Sequence, residues 1–420
     1  MNIGIYGISS QSGRAFLADY LSKGYRVIGY TRPTQHGLEV VDAIKNHGGL
    51  YLERPENSNH ERSRFVKLGE GCVTSDLEYM VANADIIIIS LPSTAHLSAV
   101  QEMNKAGLSK RCVPIVLSPS RSVASPYIWS ELGENYPIIC FSTCPYSCKA
   151  PKPEVAFIKR RKRTYIATLE GNITLRSMEM LRELFPQAAF STVPALSSLN
   201  NIGAVLHCAT YLLNIDEIEA RRDRNEVFSF YMDGIAARPE VGKVLEQIDQ
   251  VRLEIANKLG IKTFGLKSNP RDDIWRKLTN GLRALEEESS NDIDILRRIR
   301  KEFTEYLDNC VVSVQHWLDI TYGVERIEGE TLSECIARTP TYQKNSIPQQ
   351  RYITEDIPTG LVVFEALAKM LDIECGVITD IIDFYNSRFN IEVRDSGRNL
   401  RQFNKDYLIR YLTGGDVTTI

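Results

Sequence analysis

The stretch Asn2-Ile3-Gly4-Ile5-Tyr6-Gly7-Ile8-Ser9-Ser10-Gln11-Ser12-Gly13, continued by Ala15, Phe16, Tyr20 and Leu21 at helical spacing up to Lys23, decides the fold. It predicts a short apolar strand, a tight turn of Gly and Ser, and a helix that opens at the turn. A dinucleotide-binding unit begins this way, because unpaired backbone N–H groups at a helix start can hold a pyrophosphate. The G-x-G-x-x-G pattern keeps glycine only at its first place, Gly7. Ser9 and Ser12 stand at the second and third, and Gly13 comes one residue late. Serine adds only a hydroxymethyl group, and its hydroxyl can donate to a phosphate oxygen. Gly7, Ser9, Ser10, Ser12 and Gly13 are therefore the candidate phosphate cradle. An ordinary βα turn of any α/β protein reads the same way, so the turn does not decide nucleotide binding by itself.

The next segments extend the pattern. Tyr25 to Tyr30 reads as a second buried strand ending in Thr31-Arg32-Pro33, about where an Asp or Glu would meet the ribose 2′-hydroxyl of NAD. No carboxylate stands there. Arg32 can pair with a 2′-phosphate and Thr31 can hydrogen-bond it, which favours NADP(H) and leaves NAD(H) as the alternative; a solvated loop cation is the bland reading of Arg32. Leu38, Val41 and Ile44 suggest a second helix, Leu50 to Leu52 a third strand, Asn57 to Arg64 a loop, and Asp76 to Asn83 a short helix. Ile86-Ile87-Ile88-Ile89 is so apolar that it requires cover on both faces, as in a parallel sheet between helices. Its tip carries Ser90 and Pro92, at the strand end where open α/β sheets bind ligands, so both join the cofactor set. His96 reads as a helix-surface residue. Val113 to Ser118 and Pro137 to Phe141 complete a Rossmann-like sheet.

With 420 residues, 43% of them hydrophobic, the chain has material for two or three domains and a substantial core. A formal net charge of -3 gives no general attraction to nucleic acid or acidic lipid. No run reaches the length of a membrane span, and the chain enters a strand at once without a charged and apolar leader, so the expectation is a soluble cytoplasmic protein. Nine cysteines, an odd number in a long chain, suit reduced thiols better than a disulfide framework. Cys140, Cys144 and Cys148 repeat every four residues, but structural zinc usually shows two close ligand pairs and no His completes a set. Lys159-Arg160-Arg161-Lys162-Arg163 lies between two apolar runs and reads as a solvated hairpin turn rather than a nucleic-acid patch.

Near residue 195 the pattern changes. Val244, Ile248, Val251, Ile255 and Leu259 form a helical stripe, and another helical segment is expected from Ile293 to Tyr322. The predicted fold is therefore an α/β Rossmann-like dinucleotide-binding domain, residues 1–195, followed by an all-α domain, residues 196–420. His207 lies on an apolar helical run at the domain junction, where a cofactor cleft is expected; His316 has no such location. Arg351-Tyr352-Ile353-Thr354-Glu355-Asp356-Ile357-Pro358-Thr359-Gly360-Leu361-Val362 crowds charges at the start of an inward-packing helix, where an unpaired charge is costly. Helix capping by Thr354, Asp356 or Thr359, with Pro358 in the first turn, is the structural reading.

That segment resembles the R-Y-x-T-E-D-I-P-x-G-L-V signature of the octopine/nopaline (opine) dehydrogenase family at every fixed place. Cys144-Pro145-Tyr146-Ser147-Cys148-Lys149 resembles the family's L-P-W-A-C-R, and Asn201 to His207 resembles its Asn-x-Asn-x-x-x-His. The chain departs from the pattern at Gly203, where a second Asn is usual, at Lys149 for Arg, and in the serine-substituted turn.

The resemblance implies NADH- or NADPH-dependent condensation of an amino acid with a 2-oxo acid through an imine, giving an N-(1-carboxyalkyl) amino acid. It implies His207 for proton transfer, with Asp356 holding one tautomer and favouring the protonated ring, and Arg351 for the oxo acid's carboxylate. Asn201 is implied for orientation, and Tyr211, Trp275 and Tyr352 are candidates for the amino-acid pocket. The partners implied are these small molecules alone, acting on a monomer or homodimer. A hydroxy-acid dehydrogenase of the same layout, or a non-catalytic NADP-binding sensor, are the rival readings.

Overall fold

The computed structural model describes residues 1–56, 62–162, 164–264, 295, 298, 301–302, 309–324, 327–344 and 346–415. It divides into two units. Met1–Ser120 with Ala124–Thr192 make most of the first; Arg121–Val123, 193–264 and 309–415 make the second. The expected boundary at 195 lies three residues inside the second unit, which also takes the tripeptide at 121.

Among the described residues the first unit has twelve strands, β1 (Asn2–Tyr6), β2 (Arg26–Tyr30), β3 (Gly49–Glu53), β4 (Arg64–Lys67), β5 (Val73–Thr74), β6 (Ile86–Ile89), β7 (Ile115–Leu117), β8 (Ile138–Phe141), β9 (Tyr146–Lys149), β10 (Val155–Arg161), β11 (Tyr165–Glu170) and β12 (Ala188–Ser191). Eight of them form one sheet in the order β12-β11-β8-β7-β6-β1-β2-β5. Its pairs are parallel except β8 with β11. The four isoleucines of β6 lie inside it, paired to β1 and β7, and none is exposed. That burial explains why the run alternates nothing polar.

Leu50 to Leu52 does not join this sheet. It belongs to β3 in a separate four-stranded sheet, β4-β3-β10-β9. The expected hairpin at Lys159 is also absent, since β10 and β11 belong to different sheets. The cause lies in Asp19, a carboxylate only 1% exposed, which requires compensation. Arg161 Nη2 reaches its Oδ1 at 2.5 Å, and Tyr146 donates to Oδ2 at 2.6 Å. Lys162 donates to the Thr143 hydroxyl at 2.6 Å; Arg163 lies outside the described residues. His96 is buried rather than on a surface, with Nε2 3.2 Å from the Leu91 carbonyl oxygen.

Among the described residues the regular structure of the second unit is helical apart from one parallel pair of two-residue strands, Thr263–Phe264 and Val311–Val312, within a half expected to be all helix. The stripe beginning at Val244 lies on the helix Pro239–Lys258, and Ile248, Val251 and Ile255 are buried. This helix also buries an ion pair, Arg252 with Asp249. Arg252 donates to the carbonyl oxygens of Leu199 and Val312 at 2.6 Å, and Val312 N donates to Asn200 Oδ1 at 2.9 Å. The charged pair thereby fixes the chain just before Asn201. Of the segment expected as helix from Ile293 to Tyr322, 12 residues lie outside the described ones; Ile295, Arg298, Lys301, Glu302 and Val314–Tyr322 are helical, and Val311–Val312 is strand. No helix among the described residues is long and apolar enough to cross a membrane.

Candidate active site

In the first unit, β1 runs into a turn at Gly7 with φ of 101°, a conformation that side chains rarely adopt. The helix Gln11–Ser22 follows, and the Ser10 hydroxyl caps it by accepting from Gly13 N at 2.9 Å. No acidic residue occupies its first turn, so nothing opposes an anion there. A Cβ at Gly13 would stand 2.1 Å from the Gly7 carbonyl oxygen, so this late glycine is what lets the helix close onto the turn. The serines interlock: Ser90 Oγ donates to Ser12 Oγ at 2.7 Å, Ser10 Oγ to the Ser90 carbonyl at 2.8 Å, and Thr31 Oγ1 to Ser9 Oγ at 3.0 Å. Pro92, exposed, precedes the next helical turn. Gly7, Ser9, Ser10, Ser12, Gly13, Thr31 and Ser90 thus form one connected group.

Arg32 is engaged elsewhere. Its Nη2 lies 3.0 Å from Glu102 Oε1, and its Nε donates to the Tyr6 hydroxyl at 2.9 Å. Tyr6 itself donates to Glu102 at 2.5 Å. Both Arg32 and Glu102 are more than a third exposed, so the ion pair is worth at most about 1 kcal/mol.

In the second unit, His207 and Asp356 meet. Asp356 Oδ2 lies 2.7 Å from Nδ1 of the imidazole, and the Tyr231 hydroxyl stands 3.4 Å from Nε2. The Tyr352 ring stacks on His207 with centroids 4.0 Å apart. Two helical turns of wide, π-type bonding frame the pair, Met232–Ala236 after Tyr231 and Ile357–Leu361 after Asp356. Such widened turns redirect the residues beside them and recur at functional sites. Asp356 caps no helix with its side chain, and Thr359 donates its hydroxyl to the Glu355 carbonyl, so capping does not account for the motif. Gly360 has a packing reason: a Cβ there would meet Ala204 Cβ at 2.5 Å.

The residue that sequence reasoning missed is Arg121. Its Nη2 lies 2.9 Å from Asp356 Oδ1, its Nε 3.3 Å from Glu355 Oε1, and its Nη1 donates to Asn201 Oδ1 at 3.2 Å. The signal available was a lone arginine in Ser118-Pro119-Ser120-Arg121-Ser122, directly after an apolar strand. Arg121 and Val123 both take left-handed backbone, with φ of 60° and 48°. Such conformations cost on the order of 1–3 kcal/mol each and persist only where surrounding contacts hold them.

Burial pushes the His207 imidazole below its usual range. The Asp356 hydrogen bond and charge pull upward without prevailing, and Arg121 and Arg351 add to the downward push. Asp356 does favour the protonated ring, as expected, but desolvation outweighs it and the net direction is downward. Burial works against the Asp356 carboxylate too, but the Arg121 charge and His207 hold its carboxyl below the ordinary carboxylate range. Arg351 is exposed, with Nε donating to Gln349 at 2.6 Å and the guanidinium 5.8 Å from the Tyr352 ring centroid. Asn201 is fully buried between Arg121 and the Ser122 hydroxyl. Tyr211 is buried, and Trp275 lies outside the described residues.

Residues 195–388 match the family described as NAD/NADP octopine/nopaline dehydrogenase, alpha-helical domain. An opine dehydrogenase of Arthrobacter sp. (strain 1C) is 24% identical over 398 residues, 93% of this chain and 91% of its own. Both matches point to the octopine/nopaline dehydrogenase family, the family model through the helical domain alone. The matches indicate a dehydrogenase among the oxidoreductases, and they bear out the expected Rossmann-like and helical layout. The fold of an octopine dehydrogenase solved with NADH and L-arginine superposes with a TM-score of 0.69 at 15% identity, over 97% of this chain and 98% of that one. An NADP+-bound yersinopine dehydrogenase gives 0.58 at 13% identity, over 99% and 98%.

Proposed function

We propose that the protein is an opine dehydrogenase, which joins the amino group of an amino acid to a 2-oxo acid such as pyruvate or 2-oxoglutarate and reduces the product. The observation that carries this reading is the His207–Asp356 pair in a family helical domain, with Nε2 turned to the Tyr231 hydroxyl.

Condensation of an ammonium group with a ketone moves two of the three nitrogen protons to the departing oxygen, which leaves as water, and the third stays on the iminium nitrogen. His207, neutral at the outset because burial lowers its pKa, takes the first proton at Nε2. After the amine attacks, a second nitrogen proton passes to the carbonyl oxygen to give the carbinolamine; His207 then returns the first proton to that hydroxyl, which leaves as water, and the protonated imine remains. Asp356 keeps Nδ1 protonated and steadies the transient imidazolium. Tyr352 fixes the plane of the ring by stacking. Arg351, exposed and near enough to lower the His207 pKa, supplies the cation for the oxo acid's carboxylate. Asn201, being turned to Arg121 and Ser122, acts on that group rather than on substrate.

The turn in the first unit fits a nicotinamide dinucleotide: its helix start is free of acid, and its glycines admit close approach. Gly7, Ser9, Ser10, Ser12 and Gly13 would hold the phosphates, and Thr31 and Arg32 the adenosine ribose end. When bound, the nicotinamide supplies the hydride that reduces the imine. NADP(H) is the favoured cofactor because the exposed pair with Glu102 is weak enough to yield Arg32 to a 2′-phosphate. Residues 1–195 serve the nucleotide and 196–420 the substrates, in a cytoplasmic monomer or homodimer.

The test follows NADPH absorbance with a 2-oxo acid and pooled amino acids. Consumption only when both are present is the expected result. Consumption with the oxo acid alone would overturn the reading in favour of a hydroxy-acid dehydrogenase, and none with any pairing would favour the sensor.

A further inference from the structure

We infer that Arg121 is a positioning residue for proton transfer: it enters the space left open by Gly203 and clamps Asp356 Oδ1, leaving Oδ2 aimed at His207 Nδ1. The inference rests on the dyad assigned above, and three independent observations carry it.

The first is the space. A Cβ on Gly203 would stand 2.7 Å from Arg121 Nη1, 3.3 Å from Asp356 Oδ2 and 3.3 Å from His207 Nδ1. The guanidinium thus occupies volume that any larger residue at 203 would claim.

The second is the division of labour between the oxygens of Asp356. Oδ2 is hydrogen-bonded to the imidazole, and Oδ1, buried without a hydrogen bond, lies in ion-pair contact with a fixed cation. A planar guanidinium suits this task because its geometry is rigid. Its remaining nitrogens are taken by Glu355 and Asn201, so the group has little freedom to rotate away.

The third is the backbone. Left-handed Arg121 and Val123 are held by a set of bonds that all converge on the residue between them and its neighbours. Ser122 N donates to the Thr359 carbonyl at 3.1 Å and its hydroxyl to the Ser198 carbonyl at 2.7 Å. Arg398 Nη1 donates to the Ser122 carbonyl at 2.8 Å, and Val123 N to Ser198 Oγ at 3.0 Å. A segment with no role beyond connection has no reason to be held so firmly in an unfavoured conformation.

The consequence for chemistry is a set point for His207. The charged and titratable groups around the ring are Asp356, Tyr352 and Arg351 from the signature segment, Arg121 from the strained loop, Tyr231 from the widened turn, and the adjacent Cys208. Among these Arg121 and Arg351 disfavour the imidazolium, and Arg121 alone of the two is buried against the carboxylate that favours it. Arg121 therefore limits how far Asp356 can raise the ring's affinity for a proton while keeping Asp356 in register.

The experiment titrates His207 by NMR of imidazole-labelled protein without substrates or cofactor, in wild type, Arg121→Gln, Arg121→Lys and Gly203→Ala. Removing the cation relieves repulsion on the imidazolium, so Arg121→Gln should raise the His207 pKa by about one unit. Arg121→Lys keeps the charge and should shift it less. Gly203→Ala leaves Arg121 in the chain but crowds its Nη1, and should shift His207 in the same direction as Arg121→Gln. If the strained loop fails to fold without its arginine, Gly203→Ala still reads the geometry. An unmoved His207 titration in every folded variant, with only a lowered Tm, overturns the inference and reduces Arg121 to a structural ion pair. Because no substrate enters the measurement, failure of the opine reaction would leave the shift intact, and the two ideas fall separately. In turnover, Arg121→Gln should lower kcat by about tenfold or more with smaller changes in KM.

Discussion

Asp356 Oδ2 lies 2.7 Å from Nδ1 of His207, across 149 residues of sequence. The contact assigns the proton to Nδ1 and leaves Nε2 as the working nitrogen. Replacing His207 with Ala should abolish turnover while NADPH binding, followed by its fluorescence, stays within about threefold. Asp356→Asn should keep the fold and lower kcat by about 10²- to 10⁴-fold, because an amide can present its NH₂ to the ring and stabilise the wrong tautomer. Wild-type turnover in either variant would remove the dyad from the mechanism.

The pH profile has a definite sign. Burial lowers the His207 pKa beneath the usual histidine value of about 6.5. The base form required at the first step therefore persists into mildly acidic solution. The acid limb of kcat/KM should bend below pH ~6.5. A limb above pH ~7.5 would mean that Asp356 dominates burial after all.

Arg351 is exposed, and among the described residues its side chain donates a hydrogen bond to Gln349. Arg351→Ala should raise the apparent KM for the 2-oxo acid by about 10- to 100-fold, the range expected on losing charge-assisted hydrogen bonds. The KM for the amino acid should change much less. An unchanged value for the oxo acid would move its carboxylate to another cation.

Cofactor choice turns on the Arg32–Glu102 pair. Arg32→Ala should weaken NADPH more than NADH, and Glu102→Gln should do the reverse by freeing Arg32 and removing a negative charge from the phosphate's surroundings. Dissociation constants for the two cofactors, measured by fluorescence, decide the matter. Equal losses in Arg32→Ala would end the argument for NADP(H).

Much of this was legible in the sequence because the signals were local. The isoleucine run of β6 and the Gly7 turn announced the sheet, and the signature around Asp356 announced the helical domain. What stayed hidden depended on partners remote in sequence. Asp19 drew Arg161 into a strand where a hairpin turn was expected, and β3 left the main sheet to pair with β10. Arg121 belongs to the same class. Its meaning comes from Gly203, Glu355 and Asp356, more than eighty residues away at the nearest, and an isolated arginine in a serine-rich loop gives no periodicity to read. The desolvation that overrides Asp356 at His207 is likewise a property of the packed domain.

The most direct test of the central claim is the mass of the product formed from a 15N-labelled amino acid, an unlabelled 2-oxo acid and NADPH deuterated at the transferred position. The account predicts one new compound, equal in composition to the two substrates plus two hydrogens less one water, carrying both the 15N and a single deuterium. A deuterated 2-hydroxy acid without 15N would contradict it.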